Sequence, residues 1–187
     1  MNLSTLSYAA VISISAISIY YLTTREAEYD RQVEPDVELP AFSGKQIDNI
    51  SFNEKGVRSY SISSSHLDHY AVNGNTIFKN PVFKVFKDGA TQEWEMTAQV
   101  ATLDKDNILV LDQEVVATNL LPEAPFREFT TETMNIELDS RNFWSEHPVE
   151  MKGAQFFVTG DALKGNFADN NAEVYKNVQT IYENSQP

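Results

Sequence analysis

Cysteine is missing from this 187-residue chain. Its absence excludes disulfides, thiolate metal sites and acylation at an N-terminal cysteine. Glycine is scarce, at seven residues, and forms no phosphate-cradling loop. Serine, histidine and aspartate are present, but no strand–elbow–helix signature such as G-x-S-x-G accompanies them. Two of the three histidines, His66 and His69, lie three residues apart. On a strand they would point to opposite faces, which suits them poorly to a shared metal. No catalytic residue, metal site or cofactor is expected. Basic residues are also few: 14 Lys and Arg against 27 Asp and Glu, a formal charge of −13. Nucleic acid as a partner requires a basic face and is excluded. Direct adhesion to anionic lipid headgroups is disfavoured for the same reason.

Charge of either sign is absent from the first 24 residues. Leu3 to Leu22 is apolar and just meets the roughly 20 residues that a helix needs to cross a bilayer. Tyr20, Tyr21 and Arg25 stand where an interfacial belt and a polar flank belong. A cleaved secretory signal is the competing reading. Against it, no Lys or Arg precedes the run and no small-x-small site follows closely. Ser13, Ser15 and Ser18 are unusual in a helix that only tethers, and Ala9 with Ser13 makes a small-xxx-small pair open to helix contact. The sequence therefore predicts a transmembrane anchor at 1–24, with the bulk of the chain outside the cytoplasm. Residues 25–42 hold Glu26, Glu28, Asp30, Glu34, Asp36 and Glu38 with Pro35 and Pro40, the composition of an extended acidic linker. Residues 43–187 are the right size for one domain.

No stretch after Leu22 sustains a helical apolar stripe. The domain instead alternates with period two, as in Trp94, Met96, Ala98 and Val100, or Met134, Ile136 and Leu138. Turn signals such as Asn53-Glu54-Lys55-Gly56, Lys87-Asp88-Gly89 and Asp139-Ser140-Arg141-Asn142 separate the runs. A degenerate repeat overlies them. Lys79-Asn80-Pro81-Val82, Asp112-Gln113-Glu114-Val115, Glu146-His147-Pro148-Val149 and Lys176-Asn177-Val178 are similar marks, with valines 33, 34 and 29 residues apart. Units of strand, polar turn and strand stack and cover one another's apolar faces. Stacking leaves open edges. The final strands, 171–174 and 178–183, have no proline and few charges on one face, so an added strand can pair there. Asn171, Glu173, Val178, Thr180 and Tyr182 are the expected edge residues. Gly153 lies between Val149-Glu150-Met151 and Phe156-Phe157-Val158, where a glycine marks a bulge or close backbone approach.

With these features the chain resembles the LptC family of lipopolysaccharide export proteins in Gram-negative bacteria. The residues that carry the likeness are Asn53-Glu54-Lys55-Gly56 with Ser59-Tyr60, Phe78-x-x-Pro81-Val82, Trp94, Thr130-Thr131, 151–167 with Gly153, and Asn171-Ala172-Glu173 followed by Tyr182-Glu183. The resemblance implies an all-β, OstA-like jelly roll, open along one side, behind a single-pass inner-membrane helix, with the β-domain in the periplasm. It implies no enzymatic activity. It implies receipt of lipopolysaccharide from the LptB–LptF–LptG permease, with LptF and LptG met through the helix and the N-terminal edge and LptB engaged indirectly. It implies transfer to LptA at the C-terminal edge.

Positions matching those the family uses for lipid are Phe78, Ala172 and Tyr182, with Ile47 near the entrance. Alternation adds Met96, Ala98, Met134, Ile136, Leu138 and Val174 as apolar lining. For each, the competing reading is an ordinary packed core, which any jelly roll needs. The phosphorylated sugars are expected to stay outside in water. A membrane-tethered scaffold that binds only protein by strand addition is the alternative function, and it predicts a closed, fully packed domain.

Overall fold

The chain divides into two units, Met1–Glu38 and Leu39–Pro187, and the computed structural model describes residues 14, 15, 17–20 and 39–182. In the first unit the described residues are helical and exposed. Among the described residues no helix is long and apolar enough to cross a membrane. Most of the expected anchor, and the expected linker up to residue 38, lie outside them.

Alternating side chains build fourteen antiparallel strands among the described residues of the second unit. They are β1 (Phe42–Phe52), β2 (Arg58–His69), β3 (Thr76–Lys79), β4 (Val82–Lys87), β5 (Thr91–Thr97), β6 (Val100–Leu103), β7 (Ile108–Asn119), β8 (Phe126–Glu137), β9 (Asn142–Ser145), β10 (Val149–Gly153), β11 (Phe156–Gly160), β12 (Ala162–Asn166), β13 (Asn171–Tyr175) and β14 (Gln179–Tyr182). The expected linker ends in structure: the Ala41 amide donates to the His69 carbonyl, and the Phe42 ring stacks on His69 at 4.9 Å.

The long strands change partners midway. In β2, residues 60–63 pair with β4 and 66–69 with β3. In β7, residues 100–103 of β6 face 109–112, while 116–119 pair with β5. In β8, residues 126–131 pair with β10 and 135–137 with β9. The continuous ladder is thereby folded into two layers. One runs β2–β3–β6–β7–β8–β9–β12–β13, the other β2–β4–β5–β7–β8–β10–β11–β14, and β1 lies along β2 in both.

The repeated punctuation marks are the corners where the chain passes from the first layer to the second. A β-strand cannot turn such a corner in regular geometry, so the backbone enters the left-handed region at Asn80, Gln113, Glu114, Lys176 and Asn177, all with φ between 49° and 65°. In β7 this is a bulge, with the register to β8 shifting between Asp112 and Val115. Val82, Val115, Val149 and Val178 each follow a corner, which explains their recurrence. The corners are laced together into a seam: Asn80 N donates to Gln99 O, Gln99 N to Gln113 O, and Asp161 N to Lys176 O, at 2.8, 3.0 and 2.9 Å. Thr131 Oγ1 adds a bond to the Pro148 carbonyl at 3.0 Å.

Between the layers lies one apolar cluster. The first layer contributes Leu67, Phe78, Leu109, Leu111, Met134, Ile136, Phe143 and Leu163, the second Ile62, Phe83, Val85, Trp94, Met96, Phe126, Phe129, Val149 and Met151. Trp94 is at its centre, stacked on Phe129 at 5.5 Å and meeting Phe143 of the opposite layer at 6.4 Å.

Candidate functional site

The two layers are joined covalently at the seam and only by side chains on the opposite side, which we call the mouth. Hairpin tips from each layer meet there. The turn after β8 brings Leu138 and Arg141, and the turn after β12 brings Phe167 and Asn170, against Ser59, Tyr60 and Trp94 of the other layer. Among the described residues two side-chain hydrogen bonds span the mouth. Arg141 Nη2 donates to Ser59 Oγ at 3.0 Å, and Trp94 Nε1 donates to Asn170 Oδ1 at 3.2 Å. Phe167 fills the space between them, stacked on Phe143 at 4.3 Å with its own amide bonded to the Arg141 carbonyl. Behind these groups a narrow gap of about 10 Å³ is walled by Tyr60, Phe83, Val85, Ile136, Leu138 and Phe167. It is apolar and leads toward the core, but it is too narrow to hold an acyl chain.

The lining residues expected from the sequence separate into three environments. Phe78, Met96, Met134, Ile136 and Leu138 are buried in the cluster, and of these only Ile136 and Leu138 reach the mouth gap. Ile47, Ala98, Ala172 and Val174 are half-buried and packed against its margin. Tyr182 is 74% exposed, away from the cluster. Phe167 and Arg141 carried no sequence signal as mouth residues. Both sit in polar turns, and what they touch lies far away in sequence.

The C-terminal strands end separate layers. β13 pairs with β12 and β14 with β11, so the expected edge is two adjacent edges joined by the Lys176–Asn177 corner. Asn171 and Glu173 are exposed on the first, Thr180 and Tyr182 on the second. Val178 precedes β14, because the left-handed corner delays strand geometry until Gln179. The corner is fastened by Glu146, which accepts from Tyr175 Oη at 2.8 Å and from Lys176 Nζ. The Lys176 bond first, then that from Tyr175, holds the Glu146 carboxyl below its usual range. β1 forms the opposite edge, with Phe42, Ile50 and Phe52 exposed.

Gly153 sits at a register shift between β10 and β8. The Phe156 ring lies directly over it, and a Cβ there would overlap the ring. His66 Nε2 lies 3.0 Å from Asp68 Oδ1 and His69 Nδ1 lies 2.9 Å from Thr76 Oγ1, so the two rings have separate partners. No group of three metal-ligating side chains occurs among the described residues.

A sequence model of the family described as lipopolysaccharide-assembly, LptC-related matches residues 8–183. The lipopolysaccharide export system protein LptC of Haemophilus influenzae is 28% identical over 203 residues, covering 100% of this chain and 97% of that protein. Its namesake from Escherichia coli K12 is 27% identical over 173 residues, covering 92% and 91%. Among solved structures, that of LptH, the LptA-homologous periplasmic component of the lipopolysaccharide transport device of Pseudomonas aeruginosa, superposes with a TM-score of 0.51 at 6% identity, covering 74% of this chain and 96% of that one. At that identity the likeness is one of fold.

Proposed function

This chain belongs to the LptC-related lipopolysaccharide-assembly family, and from that premise we propose that it carries lipopolysaccharide between membranes as a binding protein, without catalysis. Acyl chains enter between the layers at the mouth, because the seam is crossed by backbone at every corner and cannot part. The observation that carries this reading is the apolar gap behind the mouth, narrowed by side chains and continuous with the core at Ile136. Each methylene moved there from water contributes about 0.8 kcal/mol. The deeper positions, Phe78, Met96 and Met134, become lining when the layers separate.

In this reading the N-terminal segment is a single-pass inner-membrane helix and the β-domain is periplasmic. The β1 edge and the helix receive lipid from LptF and LptG, with LptB acting through them. The β13 and β14 edges pass it to LptA by strand addition. The decisive experiment is photo-crosslinking in cells from Leu138 and from Tyr182. Capture of lipopolysaccharide at Leu138 is expected, together with a protein partner at Tyr182. The packed interior specifically favours the scaffold alternative, which predicts the protein adduct at Tyr182 and no lipid at Leu138.

A further inference from the structure

The cations of this acidic chain are not spread evenly. Lys55, Arg58, Lys87 and Arg141 line one open depression of about 360 Å³, with Asp88 and Glu93 the acidic groups among its walls. The balance is four positive against two negative, in a chain whose formal charge is −13. Among the described residues the ion pairs lie elsewhere, at Lys84–Glu95, Lys152–Glu128, Lys164–Glu173, Lys176–Glu146 and His66–Asp68. Among the described residues none of the four cations of the depression makes an ion pair.

Two of them are held in place. Arg58 Nε donates to the Gly89 carbonyl at 3.0 Å, and its guanidinium carbon stands 3.6 Å from the centre of the Phe86 ring. Arg141 is fixed by its bond to Ser59. Each arginine keeps further N–H donors for a ligand, in the fixed fork that suits a phosphate. Lys55 and Lys87 are exposed and free to close over it. Arg141 lines this depression and also the apolar gap behind the mouth. A charged head and a fatty tail therefore have adjoining places.

We infer that the depression formed by Lys55, Arg58, Lys87 and Arg141 binds the anionic headgroup of the amphiphile whose acyl chain enters the mouth, through a phosphate ester on its sugar. The inference rests on the carrier reading above. It revises the expectation that the phosphorylated sugars meet only water. The acidic surface elsewhere repels such a head, so the lipid is presented to the mouth in one orientation.

The test uses the full-length chain with a photoreactive residue either at Ala168, which is exposed and borders the depression, or at Leu138, in the gap. The probes are lipopolysaccharide and its enzymatically dephosphorylated form. Capture at Ala168 is expected to fall roughly three- to tenfold on dephosphorylation, and similarly in the Lys55→Gln/Lys87→Gln variant, with capture at Leu138 retained. The two lysines are exposed, so a melting curve like that of the parent is expected, and Lys55→Arg/Lys87→Arg should restore capture. Equal capture at Ala168 with and without phosphates overturns the inference while leaving the carrier intact. No lipid at either position removes the carrier reading as well. Inorganic phosphate alone is the last arm: a rise in melting temperature with phosphate that Lys55→Gln/Lys87→Gln removes, together with no lipid adduct at Ala168, would assign the depression to free phosphate and overturn the amphiphile assignment.

Discussion

Replacing Phe78 by Asp separates a sealed wall from a wetted one. Phe78 is 2% exposed and lies in β3 opposite Leu67 and Ala101. Truncating a buried Phe destabilises a domain by about 3–5 kcal/mol through lost transfer energy and the cavity left behind. A carboxylate in the same place adds a desolvation penalty of several kcal/mol, or else takes up a proton. Together these match the roughly 5–15 kcal/mol that hold a domain folded. Phe78→Asp is therefore expected to be unfolded or nearly so at neutral pH. Phe78→Leu, which stays apolar and loses part of the volume, is expected to remain folded with its unfolding free energy lowered by about 1–2 kcal/mol. Urea unfolding followed by Trp94 fluorescence measures both, since that indole is fully buried in the same cluster. A folded Phe78→Asp protein with the parent's midpoint would refute the closed core and make Phe78 a hydrated groove wall in the empty protein.

Gly165→Ala places a Cβ against the Asn171 carbonyl oxygen and the Phe143 ring. Backbone cannot swing aside as a side chain can, so a loss of about 1–3 kcal/mol is expected in thermal unfolding, with β13 exchanging its amide protons faster. At Gly153 the obstacle is the Phe156 ring, and Phe156 lies opposite Tyr182 in the register of β11 and β14. Gly153→Arg should displace that ring and weaken binding of a strand-adding partner at β14 while the core melts normally; unchanged partner affinity would show that the ring has room to move. The Glu146 carboxyl, held low chiefly by Lys176, contributes stability above its ordinary value of 4.5 and loses it as pH falls through the lower folded value. Hydrogen exchange at the β13–β14 corner, corrected for intrinsic rates, should accelerate over that acid range in the parent and show no such step in Glu146→Gln.

The domain's plan was readable because two simple periods encode it. Alternation assigned the strands, and the recurring marks ending in valine proved to be the corners between layers, where a left-handed residue or a proline must interrupt the ladder. Alternation separates inside from outside but cannot say which inward residues lie near an opening. Met134 and Ile136 are indistinguishable by pattern, and only Ile136 reaches the mouth gap. The mouth itself was illegible for a related reason. Arg141 meets Ser59 across 82 residues and Trp94 meets Asn170 across 76, and nothing local to either turn marks such a pairing. The basic depression gathers cations from positions 55, 58, 87 and 141, each unremarkable beside the surplus of acidic residues around it. The segment expected as the C-terminal edge holds the last strand of each layer, and its division between them follows from Lys176 and Asn177 adopting left-handed geometry, which neither residue type requires.

The asymmetry between seam and mouth also sets a chain-length requirement for the cargo. Parting the layers at the mouth breaks the Arg141–Ser59 and Trp94–Asn170 bonds, at a net cost of about 1 kcal/mol each. It also uncovers Phe167 and Leu138, at roughly 1.5–3 kcal/mol each. The total is on the order of 5–8 kcal/mol, while the strand ladders stay intact. At about 0.8 kcal/mol per buried methylene, some six to ten methylenes offset the opening and longer chains bind with the surplus. Single-chain alkyl phosphates of eight and sixteen carbons present the same head to the depression and differ only in this respect. The longer should compete for lipid capture at Leu138 and the shorter should not. Phe167→Ala, which removes the ring that fills the mouth, should lower the threshold so that the shorter one competes too. Equal competition by both in the parent protein would mean that the gap is already open in solution and that the side chains across the mouth do not close it.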